Sequence, residues 1–515
     1  MADVSVVLAV YNTMPYLSRC LASLVSQTIG PDRLQIVAVD DGSTDGSGAE
    51  LDRFAAAYPG SFEVIHQANS GGPAAPSNAA LARATGRYVF FVGADDWLEP
   101  DALEAAVAMA DRHGSDVVAI RMVGENGRFV HQGIFRQTTV DIDLAGSDLA
   151  WSLSNVKLFR RDLIERHAIR YPEELSVSSD QPFTLAALVA AARVSALADK
   201  IYYHVVRRDD GSNITYSARF EERLRCTDAI MACAERLLDP GPAREKVHQR
   251  HLTWEAAKLL EPGLLDLERD DQEWIFAGIG RLAKLYLTDA IRGRIDQRRR
   301  MRLSLAQAGA LDTLLTTLRQ DLAGGPPIVV TGGRAYAAYA GFRDPELGLP
   351  DGWFDVTDHA ARLVAQRLVI HSVNLTAPGD GECAVTLTAR DAPVELPRLS
   401  VTADTVTARF EPPSATAPAQ ARVPLAELVA GCPPGGVRHP LRLRLEGLSE
   451  QGDLPVKVTV PVPRRAVHRR VGLRLYRASL RVTRRGQVSV EIRPVTVRRV
   501  ARWAWGRARR VLAGD

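Results

Sequence analysis

Two adjacent carboxylates, Asp95 and Asp96, come shortly after the uncharged apolar run Tyr88–Val92. Such a run is typical of a buried parallel strand, and open α/β sheets bind ligands at the carboxyl ends of their strands. Carboxylate oxygens suit Mg²⁺ or Mn²⁺, which usually bridge to substrate phosphates. We therefore expect Asp95 and Asp96 to hold a divalent cation. The alternative is that they only cap the helix that begins near Pro100.

Polar or aromatic residues follow the earlier predicted strands as well: Tyr11, Asp41 and Asn69. Strands and helices alternate here with short links, which predicts a doubly wound parallel sheet whose strand-end loops meet in one cleft. Tyr11 can stack on a base, Asp41 can accept from base or ribose, and the glycines after Asn69 permit close backbone approach. GxGxxG and Walker motifs do not occur in the sequence, which argues against dehydrogenases and P-loop enzymes. The cleft is predicted to bind a nucleotide whose diphosphate the metal neutralises.

The stretches VSVVLAVYNTMPYL, VAVDDGSTDGS and FFVGADDWLEPDAL resemble the family 2 glycosyltransferases of the GT-A fold. Four further phrases narrow the resemblance: NSGGPAAPSN, SNVKLFRRDLI, RYPEELSVSSDQPF and KIYYHVVRRDDGSNIT. These are similar to the wall teichoic acid poly(ribitol phosphate) β-N-acetylglucosaminyltransferases. The resemblance is specific over Met1–Ser217 and architectural beyond it. It implies a UDP-sugar donor, Mn²⁺ or Mg²⁺ as cofactor, and inversion at the anomeric carbon.

The resemblance also implies a catalytic base, because an inverting transfer needs one within reach of the acceptor hydroxyl. In the matching family stretch a Glu-Asp pair precedes Gln, and its Asp is the base. This sequence has Ser179-Asp180-Gln181, so Asp180 keeps the base position and the preceding acid is lost. Asp180 could also serve as the N-cap of a helix over Gln181–Ala192, which is compatible with the catalytic role.

Arg207 and Arg208 match a basic position that reaches the donor phosphates in the family, as suits the guanidinium fork. The sequence does not say which of the two points inward, and we assign Arg208 to the donor. Two departures from the family pattern stand out. The first position of the family's DxDD motif is Gly93, and the Arg common before the last Asn of NSGGPAAPSN is Ser77.

The chain has 515 residues, which is too long for one compact core. The catalytic domain is predicted over 1–219 and a helical linker domain, without chemistry of its own, over 220–325. Short alternating strands over 326–497 predict an all-β, immunoglobulin-like sandwich, and a homo-oligomer formed through this region is a further expectation. Residues 498–515 are predicted to form a basic amphipathic tail.

Cysteine spacing and hydropathy indicate a cytoplasmic protein: the five cysteines show no zinc-site or disulfide-framework spacing, and no apolar stretch is long enough to span a bilayer. Arginines dominate Arg464–Asp515, where Glu491 and Asp515 are the only acids. Arg and Trp on a short helix over Val497–Leu512 predict attachment to anionic lipid on the inner face of the membrane. The alternatives are an anionic acceptor or a disordered basic end, and no nucleic-acid module is recognisable.

The resemblance implies that the chain is an inverting hexosyltransferase. It is expected to move a sugar, N-acetylglucosamine by resemblance, from a UDP-sugar to a hydroxyl of an anionic polyol-phosphate or glycan polymer of the teichoic acid type. One alternative acceptor is a lipid-linked or capsular oligosaccharide. Another alternative is a non-catalytic glycan-binding scaffold, which the acids lost at Gly93 and Ser179 favour.

The tail hypothesis can be tested by deletion. If Val497–Leu512 lies on an anionic membrane, each basic residue contributes about 1 kcal/mol, so removing Arg498–Asp515 should release the protein from anionic liposomes in a flotation assay. Raised salt should release the intact chain because it screens these charges. Transfer to a short soluble acceptor is expected to survive. Equal liposome binding with and without the tail would contradict the hypothesis.

Overall fold

The computed structural model describes residues 2–213, 218–368, 370–376, 384–389, 399–411, 419–430, 432–448, 454–456, 462, 466–471 and 474–495. They fall into two compact units, Met1–Leu311 and Asp312–Asp515. The predicted tail at 498–515 lies outside the described residues.

A seven-stranded sheet forms the centre of the first unit, in the order β3-β2-β1-β4-β8-β6-β9. Strands β1 to β4 are parallel to one another, whereas β8 runs antiparallel to β4 and β6. The predicted α/β architecture is confirmed, with β8 as the departure from a fully parallel sheet. The strands are β1 (Val4–Val10), β2 (Leu34–Asp40), β3 (Phe62–His66), β4 (Tyr88–Gly93), β5 (Trp97–Leu98), β6 (Val117–Ile120), β7 (Met122–Gly124), β8 (Lys157–Arg160), β9 (Val194–Leu197) and β10 (Tyr203–Val205).

Helices cover the sheet, which is why β1 and β4 are buried along almost their whole length. The first helix shows how the sequence dictates this packing. Its buried residues Leu17, Leu21 and Leu24 recur at helical spacing and face the core. The helices of this part are α1 (Tyr16–Val25), α2 (Ser47–Ala57), α3 (Ala74–Ala82), α4 (Ala102–His113), α5 (Arg161–Arg166) and α6 (Asp180–Ala190).

The predicted helical region is confirmed and packs on α6 through its first helix. A π-helical segment, Leu252–Ala256, continues its second helix. Such segments are rare and often mark functional sites. The helices are α7 (Phe220–Leu237), α8 (Pro242–His251), α9 (Arg269–Tyr286), α10 (Asp289–Arg294) and α11 (Gln297–Ala308).

The second unit is mostly antiparallel β structure. It contains the hairpin of β11 (Ile328–Thr331) and β12 (Arg334–Ala337), and the helices α12 (Leu311–Leu322), α13 (Ala360–Arg367) and α14 (Leu425–Ala430). The remaining strands are β13 (Ile370–Thr376), β14 (Ala384–Ala389), β15 (Leu399–Ala403), β16 (Val406–Glu411), β17 (Ala419–Pro424), β18 (Val437–Leu445), β19 (Leu454–Pro455), β20 (Ala466–Val471), β21 (Arg474–Val482) and β22 (Val488–Pro494).

These strands form one ten-stranded sheet in the order β13-β14-β17-β16-β15-β18-β22-β21-β20, with β19 paired to β18. The two end strands, β13 and β20, contact each other, so the sheet curls back on itself. The predicted all-β region is therefore observed. The immunoglobulin-like sandwich is not confirmed, because a sandwich needs two separate sheets and the hydrogen-bonded path here is continuous. Among the helices that the structure describes, none is long and apolar enough to cross a bilayer.

Candidate functional site

The loops at the carboxyl ends of β1, β2, β3 and β4 meet around one cavity of about 550 Å³. The segment after β10 closes its side. The structure therefore brings together every residue predicted to contact donor or metal: Tyr11, Asp41, Asn69, Asp95, Asp96 and Arg208 all line this cavity. Arg207 is exposed and is not among the lining residues, so the inward-facing member of the arginine pair is Arg208. Asp180 lies outside this set.

Asp41 orders the loop that follows β3. Its buried carboxylate accepts hydrogen bonds from Gln67 Nε2 at 2.6 Å and from Ser70 Oγ at 2.9 Å. Asn69 Nδ2 donates to the Asp41 carbonyl at 3.2 Å. Gly42, at φ +77°, is required here because a Cβ would lie 2.8 Å from the Asn69 amide nitrogen. Tyr11, half exposed, stands at the mouth of the cavity with its ring available for stacking.

Asp95 is ion-paired to Arg208 at the side of the cavity. Arg208 Nε lies 2.8 Å from Asp95 Oδ2, and Asn213 Nδ2 donates to the same oxygen at 2.9 Å. Arg208 Nη1 also donates to the Asn12 carbonyl at 3.1 Å. These contacts hold an arginine and a carboxylate together where the donor diphosphate was predicted to bind.

Asp96 is buried and engaged on both carboxylate oxygens. Tyr203 Oη donates to Oδ2 at 2.7 Å and the Val206 amide donates to Oδ1 at 2.7 Å. Burial, together with the nearby charge of Asp95, raises the pKa of Asp96 to about 8. The carboxyl group therefore ties the loop after β4 to the segment after β10. Asp96 also lines the cavity, and its role as a metal ligand stays a prediction.

The surroundings of Gly93 leave little room for the first acid of the family motif. A Cβ at this position would lie 2.6 Å from Asp96 Oδ2 and 3.4 Å from Asp95 Oδ1. An aspartate could therefore be accommodated only if the buried Asp96 moved. The loss of this acid and the burial of Asp96 belong to the same local conformation.

The donor set fits a divalent cation through Asp95. Mg²⁺ is commonly bound through one or two carboxylates together with substrate phosphates and water, and Asp95 is the carboxylate at the cavity wall. The described part of the chain contains no group of three or more His, Cys, Asp or Glu side chains placed to hold a metal. A cation here would thus depend on Asp95, on the predicted second ligand Asp96 and on phosphate oxygens of the donor.

Asp180 is the first residue of α6 and lies among charged groups. Burial raises its pKa to about 6, opposed by the charges of Arg250 and Lys157 and reinforced by that of Glu255. Lys157 is fully buried, which lowers its pKa to about 7, and its Nζ donates to the Ser154 carbonyl at 2.7 Å. The predicted N-cap role is not observed, because the residue before the helix is Ser179 and its side chain makes no capping bond.

Two charged residues of the helical region reach this site and were missed by the sequence analysis. Arg250 Nη1 donates to Gln181 Oε1 and lies 2.9 Å from Glu255 Oε1, while Gln181 Nε2 donates to Glu255 at 3.1 Å. Glu255 belongs to the π-helical segment. Ser179 is buried, and in the described part of the chain its Oγ has no hydrogen-bond partner. The helical region therefore brings an acid to Gln181, two residues after the position where the motif has lost one. Arg250 lies in the highly polar stretch PAREKVHQRH, so the sequence offered no signal that would single it out.

An aromatic cluster adjoins the same charged group. The Trp254 ring lies 5.0 Å from Trp151 and 5.8 Å from both Phe129 and His131, measured between centroids. The Arg250 guanidinium lies 5.5 Å from the centre of the Trp254 ring. Phe129 is 72% exposed, so the cluster opens to solvent.

Comparison with known proteins finds family matches for two stretches of the chain. A model described as "Glycosyl transferase family 2" matches residues 5–166, and one described as "Glycosyl transferase TarS linker domain" matches residues 221–317. The chain is 37% identical over 209 residues to the poly(ribitol-phosphate) beta-N-acetylglucosaminyltransferase TarS of Staphylococcus aureus, covering 41% of this chain and 36% of that protein. It is 36% identical over 206 residues to a poly(ribitol-phosphate) beta-glucosyltransferase of Bacillus spizizenii, covering 40% and 32%. The matches thus span about a third of the length of these relatives.

Solved structures extend the likeness. The crystal structure of S. aureus TarS 1-349 in complex with UDP-GlcNAc is 27% identical, with a TM-score of 0.57, covering 68% of this chain and 98% of that one. A longer TarS structure is 21% identical, with a TM-score of 0.61 over 96% of this chain and 86% of that one, and shows likeness of fold. The predicted resemblance is confirmed: residues 5–166 match the family 2 glycosyltransferases, and residues 221–317 match the linker domain of TarS.

Proposed function

We propose that the chain transfers a hexose from a UDP-sugar to a hydroxyl of an anionic polyol-phosphate polymer of the teichoic acid type, with inversion. The observation that carries this proposal is the convergence of Tyr11, Asp41, Asn69 and the Asp95–Arg208 pair on one cavity of a family 2 domain. Support comes from the similar TarS structures, whose titles record complexes with UDP and with UDP-GlcNAc. Both an N-acetylglucosaminyl- and a glucosyltransferase are among the relatives. We propose N-acetylglucosamine as the transferred sugar because a similar TarS structure is a complex with UDP-GlcNAc.

Five residues of the cavity have a role in donor binding under this proposal. The Tyr11 ring stacks on the uracil, and Asp41 holds the loop that carries Asn69 against the ribose. Arg208 offers its fork to the diphosphate, for which a guanidinium is well suited. A divalent cation bound at Asp95 would neutralise diphosphate charge and so assist departure of UDP.

Asp180 takes the acceptor proton. The acceptor oxygen forms a bond to the anomeric carbon as the bond from that carbon to the UDP oxygen breaks, and the hydroxyl proton passes to the Asp180 carboxylate. A pKa of about 6 leaves this carboxylate mostly ionised at neutral pH. The acceptor approaches from the side opposite UDP, which gives inversion.

The wider organisation is also proposed. The sequence divides into four parts: a catalytic domain over 1–219, a helical linker domain over 220–325, a β region over 326–497 and a basic tail over 498–515. Peripheral association with an anionic inner membrane surface would place the enzyme near a growing wall polymer. Assembly of copies through the β region, with an immunoglobulin-like arrangement of its strands, completes the proposal.

The two adjacent aspartates are expected to behave differently. Asp95→Ala should weaken UDP-sugar binding and remove its dependence on Mn²⁺, measured by calorimetry with and without EDTA, while leaving thermal stability nearly unchanged. Asp96→Ala should lower the free energy of unfolding by about 1–3 kcal/mol, because the Tyr203 hydroxyl and the Val206 amide lose their buried acceptor. Asp52→Ala, at an exposed carboxylate, serves as control. Metal-dependent binding that survives Asp95→Ala would remove Asp95 as the metal ligand.

The base is tested by Asp180→Asn. The amide cannot accept the proton, so turnover should fall by about 10²-fold or more, whereas UDP-sugar affinity should stay near that of the wild type. The exposed Asp162→Asn is a matched control. Turnover close to wild type in the Asp180 variant would show that another group takes the proton.

The pH profile should report the charges around Asp180. Turnover is expected to fall as the pH drops through about 6, because the carboxylate becomes protonated. Glu255→Gln removes a like charge and so lowers the pKa of Asp180, which should move the acidic limb to lower pH. The Asp180 carboxyl group also faces Lys157, Arg250 and Tyr171.

Glu261→Gln is the control for this shift and should leave the limb in place. An acidic limb that is unchanged by Glu255→Gln would mean that Glu255 does not act on the base.

A further inference from the structure

The outward face of the ten-stranded sheet in the second unit is rich in arginine. In β18, whose sequence is VRHPLRLRL, every second residue is buried and the intervening Arg438, Arg442 and Arg444 are exposed. Such alternation assigns the apolar residues to the interior and the arginines to the outer surface.

Strand register continues this surface across neighbouring strands. Ser400 of β15 lies opposite Arg444 on one side and Arg409 of β16 on the other, and Thr402 lies opposite Arg442. The two arginine-bearing strands are therefore about 9.6 Å apart, twice the usual strand spacing, with short hydroxyl side chains between them. We call the exposed arginines on this side of the sheet the arginine face: Arg409, Arg422, Arg438, Arg442, Arg444, Arg470, Arg477, Arg481 and Arg493.

Acids in and beside these strands already accompany the arginines: Arg409 Nη2 lies 2.7 Å from Glu446 Oε2, and Glu411 of β16 is exposed. Glu491 is buried on β22, with Arg493 and Arg481 within 2.9 Å and Arg438 at 3.6 Å. The arginine hydrogen bonds hold the pKa of Glu491 at about 2. Glu491 and Glu446 thus offset part of the positive charge of the arginine face.

Two arginines also occupy a position that costs stability. Arg477 of β21 lies directly opposite Arg493 of β22, and like charges in directly opposed positions destabilise a sheet. A local arrangement that opposes folding is most often found where function requires it. An anion bound across these strands would offset the repulsion.

We propose that the arginine face binds a flexible chain of phosphodiesters. Guanidinium forks pair with phosphate oxygens, and a linear polymer supplies repeated charges to arginines on successive strands. The identification of that chain with the acceptor polymer rests on the proposed function, whereas binding of a polyanion does not. The arginine face would hold the polymer while sugars are transferred to the polymer's hydroxyl groups.

The curvature of the sheet favours a polymer over a membrane. The arginines are distributed from β17 to β20, and the sheet curls until its end strands meet. A planar lipid surface could touch only some of these strands at one time, whereas a flexible chain can follow all of them.

The test compares full-length proteins in equilibrium binding to purified poly(ribitol phosphate). A triple variant, Arg409→Gln with Arg442→Gln and Arg444→Gln, should bind at least about tenfold more weakly at low salt, with the difference narrowing at high salt. A matched control removes the same charge elsewhere in this unit, through Arg319→Gln, Arg484→Gln and Arg485→Gln, and should change affinity less than about twofold. The corresponding Arg→Lys triple variant keeps the charge and, if folding is intact, should retain most of the binding.

The outcomes separate this inference from the proposed function. Equal loss in the triple variant and in the control, or affinity within about twofold of the wild type in the triple variant, overturns the arginine face as a polymer site. If the triple variant loses binding to phosphatidylserine vesicles and not to the polymer, the face serves lipid and the inference fails. Wild-type protein that binds the polymer but transfers no sugar would contradict the proposed function and leave this inference standing.

Discussion

A buried carboxylate holds the candidate site in shape. Asp96 accepts hydrogen bonds from the Tyr203 hydroxyl and the Val206 amide, and so joins the loop after β4 to the segment after β10. Because Arg208 follows two residues later, the same link brings its guanidinium to Asp95. Removal of a buried acceptor leaves donors unsatisfied at appreciable cost, which makes this link a condition for the geometry of the cavity.

The loop after β4 divides two tasks between adjacent acids. Asp96 joins two segments through its hydrogen bonds, Asp95 pairs with Arg208, and both carboxylates line the cavity. Gly93 permits this division because a side chain there would collide with Asp96. The apparent loss of a motif acid is therefore compatible with a donor site, and it weakens the case for a non-catalytic scaffold.

The helical region contributes more than a support for the catalytic domain. Arg250 and Glu255 approach Gln181 beside the proposed base, and the buried Lys157 also acts on that base. Charges of both signs act on one half-buried carboxyl group, so its pKa reflects their balance. An active site assembled in this way depends on the packing of α7 and α8 against the catalytic domain. The π-helical turn at Leu252–Ala256 sets where Glu255 points.

The sequence by itself determined the α/β domain and most of the donor cavity. Strand periodicity is local, and the carboxyl ends of neighbouring parallel strands must meet at one edge, so Tyr11, Asp41, Asn69 and Asp95 could be placed together. Only the tertiary structure decided that Asp96 is internal and that Arg208 faces inward. It also brought Glu255 to Gln181 across 74 positions of sequence. In the second unit, the alternation of apolar and polar residues revealed which side chains face outward. It did not reveal which strands pair, because the two-residue period is the same whether the strands form one sheet or two. Burial and strand pairing depend on contacts between segments distant in the chain, and a local pattern contains no record of them.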